Sequence, residues 1–271
     1  MGVWVPIRAL ANAPMTVGKL LGGAGLLALG YAVVALLVFL NQRSFIYFPQ
    51  PAADSSGRLE LQVEGKRVLV AHRPHPGPRA LIYFGGNAED VSLTRGDLAA
   101  LLPDTALYLL HYRGYGGSEG QPSEAALRAD AQALYALVAG RHRQVSVAGR
   151  SLGTGPAVHL AATRPVQRLV LLVPFDSLLA VARNAMPWLP VDLLLRDRWD
   201  AAAEAPKVTA PTTIVAAEFD AVVPSAHARA LHAAFRPGVA ELLVERDLDH
   251  NTPLLDSATI RAALRGGLGG A

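Results

Sequence analysis

Val145-Ser146-Val147-Ala148-Gly149-Arg150-Ser151-Leu152-Gly153-Thr154-Gly155-Pro156-Ala157 decides how the fold of this 271-residue chain is read. Val145 to Ala148 has the composition of a short buried strand, and from Ala157 through Leu160 and Ala161 the pattern is helical. Between them stands a serine in the context Gly-Arg-Ser-Leu-Gly. A serine on a sharp turn between strand and helix is lifted clear of the sheet. Flanking glycines, here Gly149 and Gly153, let backbone and neighbouring strands come close without a Cβ clash. The helix that follows turns its positive end toward the same place. Glycine and serine are common, so five residues alone match weakly; the strand before and the helix after make the match specific.

Working outward, short β-branched or Leu-rich runs alternate with longer helical patterns. That is the signature of an α/β fold with a mostly parallel central sheet covered by helices on both faces. Leu59 to Val63 and Arg67 to His72, separated by Glu64, Gly65 and Lys66, read as a hairpin. Strands are expected at Ala80 to Phe84, Ala106 to Leu110, Leu169 to Val173, Thr213 to Ala217 and Glu241 to Glu245. One helix starts after the N-cap Ser123, with Glu124 at its positive end, buries Leu127, Leu134 and Val138 and stops at Gly140. Another is expected from Thr252 and Pro253 through Ile260 and Leu264 to Gly266. The segment from Pro174 to Pro211 breaks the alternation and carries Met186, Trp188, Leu193 and Trp199. It reads as a short helical cap over a cleft or, equally, as a helix packed on the sheet edge.

A serine nucleophile needs a base, and the base needs a group to orient it, in the chain order serine, acid, histidine. Asp220 follows the strand Thr213 to Ala217, and His250 follows the last strand, so Ser151, Asp220 and His250 all map to carboxyl ends of strands, where ligands gather in open α/β sheets. Asp176 is the chief alternative acid, because it follows the strand Leu169 to Val173. The other histidines make poorer bases. His72 and His75 precede the central strands, His142 sits in the basic run Arg141-His142-Arg143, read as a solvated helix end, and His159, His227 and His232 fall inside helical patterns. His111, at a strand end, stays a second candidate for work in a pocket. Gly85-Gly86-Asn87 follows the strand Ala80 to Phe84, where a second backbone donor to an oxyanion is expected; Asn87 and Leu152 N–H are the expected pair. Neither GxGxxG nor a P-loop is present at this turn, and neither HExxH nor clustered carboxylates suggest a metal, so no cofactor is expected.

No charged residue occurs between Lys19 and Arg43, and Leu20 to Leu40 is long enough to cross a bilayer as a helix. A cleaved signal peptide is the rival. Against it, the run exceeds a usual signal core and ends in Asn41, Gln42 and Arg43 rather than in a small-x-small site. The expected organisation is a tail over 1–19, a transmembrane helix over 20–40, a juxtamembrane linker over 41–57 and one domain over 58–271, with the cap segment at about 174–211. Arg8 and Lys19 on one side against Arg43 and Arg58 on the other favour a cytoplasmic N-terminus and a catalytic domain outside the cytoplasm. With 25 Lys+Arg against 22 Asp+Glu, a net charge of +3 spread along the chain marks no nucleic-acid surface. There is no cysteine, hence no disulfide and no thiolate metal site.

These residues resemble the α/β-hydrolase superfamily, in its branch with one N-terminal membrane anchor, related to protein depalmitoylases and prolyl-aminopeptidase-like enzymes. The resemblance runs from Phe39 to about Ala263. It rests on QRSFIYFP after the anchor, FGGNAEDVS, HYRGYGGSEGQPSE from His111 to Glu124, GRSLGTGPA from Gly149, EFDAVVP, and the DHN around His250. Where many relatives have His-Gly-Asn, this chain has Gly85-Gly86-Asn87; where they have Asp before Tyr-Arg-Gly-Tyr-Gly, it has His111; and Ala217 replaces a frequent glycine. Arg113 reads as structural. The resemblance implies a membrane-anchored serine hydrolase that cleaves an ester, thioester or related acyl bond of a small or lipid-like substrate. An aminopeptidase-like hydrolase or a non-catalytic tethered scaffold are the alternatives. Oligomeric state is not legible.

Overall fold

The structure, a computed structural model, describes residues 17–268, with side chains over 21–266. Arg8, which bears on orientation, lies outside the described residues, as do the side chain of Lys19 and the last three residues of the GGLGGA tail. The chain divides between Gln42 and Arg43 into two compact units.

Helix α1 spans Val17–Ile46, six residues past Leu40. Asn41 Nδ2 donates to Leu37 O at 2.9 Å and Gln42 Nε2 to Phe39 O at 2.8 Å, so these polar side chains are satisfied on the helix itself and do not end it. The 26 residues Leu21–Ile46 are long and apolar enough to cross a membrane. At about 1.5 Å per residue they reach roughly 39 Å, against a hydrocarbon core of about 30 Å. Leu26 and Leu27 are 72% and 78% exposed, as expected of a helix that has no polar face to turn outward.

In the second unit the strands are β1 Arg58–Val63, β2 Lys66–Arg73, β3 Arg79–Phe84, β4 Ala106–Leu110, β5 Gln144–Arg150, β6 Leu169–Leu172, β7 Thr212–Ala217 and β8 Ala240–Glu245. They form one sheet in the order β1-β2-β4-β3-β5-β6-β7-β8. The first two pairings are antiparallel and all others parallel. The β1–β2 turn consists of Glu64 and Gly65 at φ +49° and +71°, the twist of a two-residue hairpin turn, with Lys66 already paired to Val63. Strand β3 shows why the sheet is covered twice: Ala80, Ile82 and Phe84 enter one core, and Leu81 and Tyr83 the other. The first core is closed by α3 Glu124–Ala139, α4 Thr154–Thr163 and α8 Ser225–Ala234; the second by α2 Val91–Leu101 and α9 Ala258–Leu268.

Three expectations change. Helix α9 begins at Ala258 rather than at Thr252 and Pro253. Thr252 is spent on its own loop, its Oγ1 accepting from Asp249 N at 3.0 Å, and Ser257 Oγ instead accepts from Ile260 N. His142 is buried rather than solvated: Nε2 meets Tyr108 OH and Nδ1 meets Gly77 O, each at 3.0 Å, while Arg141 and Arg143 stay in solvent. The segment after β6 is two things. Helices α5 Leu178–Ala185 and α6 Val191–Leu194 touch the core only along one side, through partly buried Leu178 and Val181 and buried Val191, while Leu193 is 82% exposed. Helix α7 Ala201–Glu204 packs against α4 and α8. A bridge between Ser177 and Asp200 closes the excursion at its base.

Candidate active site

The turn after β5 carries Ser151 at φ +49°, a left-handed conformation that costs a non-glycine residue about 1–3 kcal/mol and persists where its surroundings over-determine it. The surroundings are its glycines. A Cβ on Gly149 would overlap Gly153 O and Ala157 Cβ, and one on Gly153 would overlap Phe84 O and lie 2.9 Å from Gly85 O. The Ser151 turn is therefore wedged between β3 and the start of α4, where only bare backbone fits.

His250, in the loop after β8, places Nε2 2.8 Å from Ser151 Oγ and Nδ1 2.7 Å from Asp220 Oδ2. A carboxylate can only accept, so Nδ1 carries the proton given to Asp220 and Nε2 is left to accept from the serine hydroxyl. The other oxygen, Asp220 Oδ1, accepts from Val222 N at 2.8 Å and Val223 N at 2.7 Å. Burial alone would raise the Asp220 pKa, but the bonds from His250, Val223 and Val222 outweigh it and hold the carboxyl below its ordinary value. The side chains of His250 and Asp220 are 10% and 1% exposed, so the chain of hydrogen bonds is largely screened from water.

Asn87 lies in the turn after β3. The preceding Gly86 N–H is engaged by Glu89 Oε2 at 2.6 Å, and Glu89 is itself held by Tyr83 OH and Thr94 Oγ1. A Cβ built on Gly86 would lie 3.8 Å from Ser151 Cβ, so this turn borders Ser151. Leu152 N–H belongs to the first turn of the 3₁₀ segment Ser151–Gly153, where helical N–H groups have no partner of their own.

Asp176 does not reach this constellation. It accepts from His227 Nδ1 at 2.8 Å, and His227 Nε2 meets Asn184 Nδ2 at 3.0 Å, so a second, separate Asp–His pair joins α8 to α5. His111 is buried beneath the glycine loop 114–117, its pKa lowered to about 4 by burial, and offers no pocket group. Arg113 is fastened to Asp130 of α3 at 2.8 Å; Tyr112 and Tyr115 are the residues of its loop that touch the Gly85–Asn87 turn. Among the described residues no three His, Asp or Glu gather as a metal site.

Arg150 carried no signal in the sequence, and Trp199, named there with the cap segment, is part of the core. Arg150, the variable position of the serine motif, donates from Nη2 to the carbonyl oxygens of His250 and Thr252, each at 3.2 Å. Trp199 lies buried against Gly155, where a Cβ would overlap its indole.

With this geometry at the carboxyl edge of a mostly parallel sheet, the protein falls in the class of α/β-type hydrolases. No family model matches the chain. It is 36% identical over 261 residues to the uncharacterized protein Rv2307c of Mycobacterium tuberculosis, a match covering 89% of this chain and 92% of that protein. The α/β hydrolase domain-containing protein aho-3 of Caenorhabditis elegans is 27% identical over 198 residues, 66% of this chain and 57% of its own length. Among solved structures, the Pyrococcus furiosus esterase PF2001 aligns with a TM-score of 0.63 at 14% identity, over 82% of this chain and 98% of that one, a likeness of fold. The chain belongs to the α/β-hydrolase superfamily.

Proposed function

We propose that the protein is a membrane-anchored serine hydrolase acting on an acyl ester or thioester of lipid-like character, with Ser151, His250 and Asp220 as its triad. The observation that carries this reading is the unbroken contact from Ser151 Oγ through His250 to Asp220, 2.8 and 2.7 Å, on a left-handed serine. His250 Nε2 takes the hydroxyl proton as Oγ bonds to the acyl carbon. The carbonyl electron pair moves to oxygen, which Leu152 and Asn87 N–H receive. The imidazolium then protonates the leaving group, an acyl-enzyme forms, and a water deprotonated by His250 releases the acid. Asp220 holds the imidazole and stays ionised throughout.

The lipid-like character rests on what surrounds the site. Outside α1, the large apolar side chains exposed among the described residues are Phe48, Leu93, Trp188, Leu193, Phe219 and Val222. Phe219 and Val222 flank Asp220, Leu93 opens α2 after β3, Trp188 and Leu193 belong to the excursion after β6, and Phe48 N is bonded to Asn87. All six are therefore tied to the edge of the sheet that holds the triad, where they can meet an acyl chain. An aminopeptidase would need a free carboxylate for the substrate amine. Its candidates are engaged elsewhere: Glu218 by Arg246, Asp176 by His227 and Glu119 by Arg67.

The test is a fluorophosphonate probe applied to wild type and Ser151→Ala, followed by p-nitrophenyl esters of increasing chain length. Labelling of wild type alone, with turnover that rises with chain length, supports the proposal. A folded wild type that neither labels nor turns over makes the protein a tethered scaffold. The anchor itself is tested by alkaline extraction, which leaves a transmembrane protein in the membrane and releases one whose leader has been cleaved. A reporter active only in the cytoplasm, fused to the C-terminus, should stay silent if the catalytic domain lies outside.

A further inference from the structure

We infer that the Asn87 side chain is a positioning group that fastens the oxyanion turn to residues 46–48, so that the segment read as a linker is a working part of the active site. The inference rests on the serine-hydrolase reading. Both ends of the Asn87 carboxamide are engaged: Nδ2 donates to Ile46 O at 2.7 Å, while Oδ1 accepts from Phe48 N at 2.9 Å, Tyr115 OH at 2.8 Å and Ala88 N at 3.1 Å. The paired contacts to Ile46 O and Phe48 N copy the way one strand reads another. They require a donor and an acceptor on one short side chain, which is the property of asparagine. Aspartate would set an oxygen against Ile46 O, and alanine would release both contacts.

The segment that Asn87 grips is itself fixed on either side. Arg43 is bidentate to Asp197 at 3.0 and 3.3 Å, and buried Tyr47 accepts at its hydroxyl from Trp199 Nε1 at 3.3 Å. Further along, Gln50 O accepts from Gly116 N at 2.8 Å, Ala53 N donates to Asp90 Oδ2 at 2.6 Å, and Asp54 pairs with Arg95 at 2.5 Å. Asn87 thus ties the turn to a segment that is itself bonded to the domain on both sides. The turn needs holding, because Ala88 adopts φ +58°, a left-handed conformation with no glycine to relieve it. The N–H proposed to receive the oxyanion belongs to the same residue as the carboxamide, so what holds the side chain also aims the donor. Misplacing a reacting group by about 1 Å costs on the order of 100-fold in rate.

The experiment compares full-length wild type, Asn87→Ala, Asn87→Asp, Tyr115→Phe and Asn87→Ala/Tyr115→Phe in detergent micelles, with kcat counted per fluorophosphonate-reactive site. The expected result is a kcat lowered about 10- to 100-fold in both Asn87 variants and a few-fold in Tyr115→Phe, with KM for a short ester within about threefold of wild type. The double variant should be no slower than Asn87→Ala, because Tyr115 OH would act through the missing carboxamide. If kcat per site in Asn87→Ala stays within threefold of wild type while only the melting temperature falls, the contact is structural and the inference is overturned. A double variant slower by the product of the single effects overturns it as well. A wild type without labelling or turnover removes the serine-hydrolase reading and this inference together, an outcome distinct from losing the inference alone.

Discussion

The Arg150 guanidinium donates to the main-chain oxygen of His250 at 3.2 Å, so the residue before Ser151 holds the loop that carries His250. A second bond from the same nitrogen to Thr252 O, also at 3.2 Å, braces that loop on the far side of His250. Replacing Arg150 by methionine keeps the apolar stem and removes both bonds. We expect kcat to fall about 10-fold with little change in KM, because the imidazole loses orientation rather than identity. Steady-state kinetics on a short-chain ester measure this, and an unchanged kcat would show that the loop holds itself.

Asp220→Asn should leave the fold in place and lower kcat by on the order of 10³–10⁴, since an amide cannot hold the imidazole in the required tautomer. The same variant reports on acid stability. The Asp220 carboxyl is held below its ordinary 3.8, so its contribution is present above that value and lost as pH falls through the lower folded-state value. Wild type should melt above Asp220→Asn at neutral pH, and the gap should narrow as pH falls below 3.8. A gap that persists unchanged at pH 3 sinks the assignment.

Gly153→Ala places a methyl against the main-chain oxygens of Phe84 and Gly85, neither of which can rotate away. Overpacking of this kind costs about 1–3 kcal/mol, and more where only backbone can move. Gly96→Ala, inside α2 with open space around the new Cβ, is the control and should stabilise by up to about 1 kcal/mol. Urea denaturation of both, read against wild type, decides whether close approach at the Ser151 turn sets the difference.

Two tryptophans in one segment should separate stability from turnover. Trp199 is 1% exposed, with Arg128 over its ring at 5.2 Å, and Trp199→Ala should cost about 3–5 kcal/mol. Trp188 is 55% exposed, and Trp188→Ala should change stability by less than about 0.5 kcal/mol while lowering turnover of long acyl chains more than short ones. Equal loss for both chain lengths would remove Trp188 from substrate contact.

The strands were legible because each is a short apolar run bounded by turn residues, and the β1–β2 hairpin because Gly65 interrupts two such runs, although the turn is Glu64-Gly65 alone and Lys66 already pairs with Val63. The start of α9 was not, since Thr252 and Ser257 are both acceptable N-caps and only the bond from Asp249 N to Thr252 shows which one the loop uses. His142 was misread for a related reason: its neighbours Arg141 and Arg143 are in solvent, and nothing local reveals that Tyr108 waits for it across the sheet.

By itself, then, the sequence determined the alternation of strands and helices, the apolar span before Arg43, and the order serine, acid, histidine at strand ends. All of these are written in local period, in glycine placement and in chain order. Tertiary structure alone decided which acid faces His250, since Asp176 and Asp220 both follow strands and only distance separates them. It alone joined Arg150 to His250 and Asn87 to Ile46 and Phe48. Those contacts link residues 100 and about 40 positions apart through single hydrogen bonds, and no periodicity in a sequence encodes a bond of that kind.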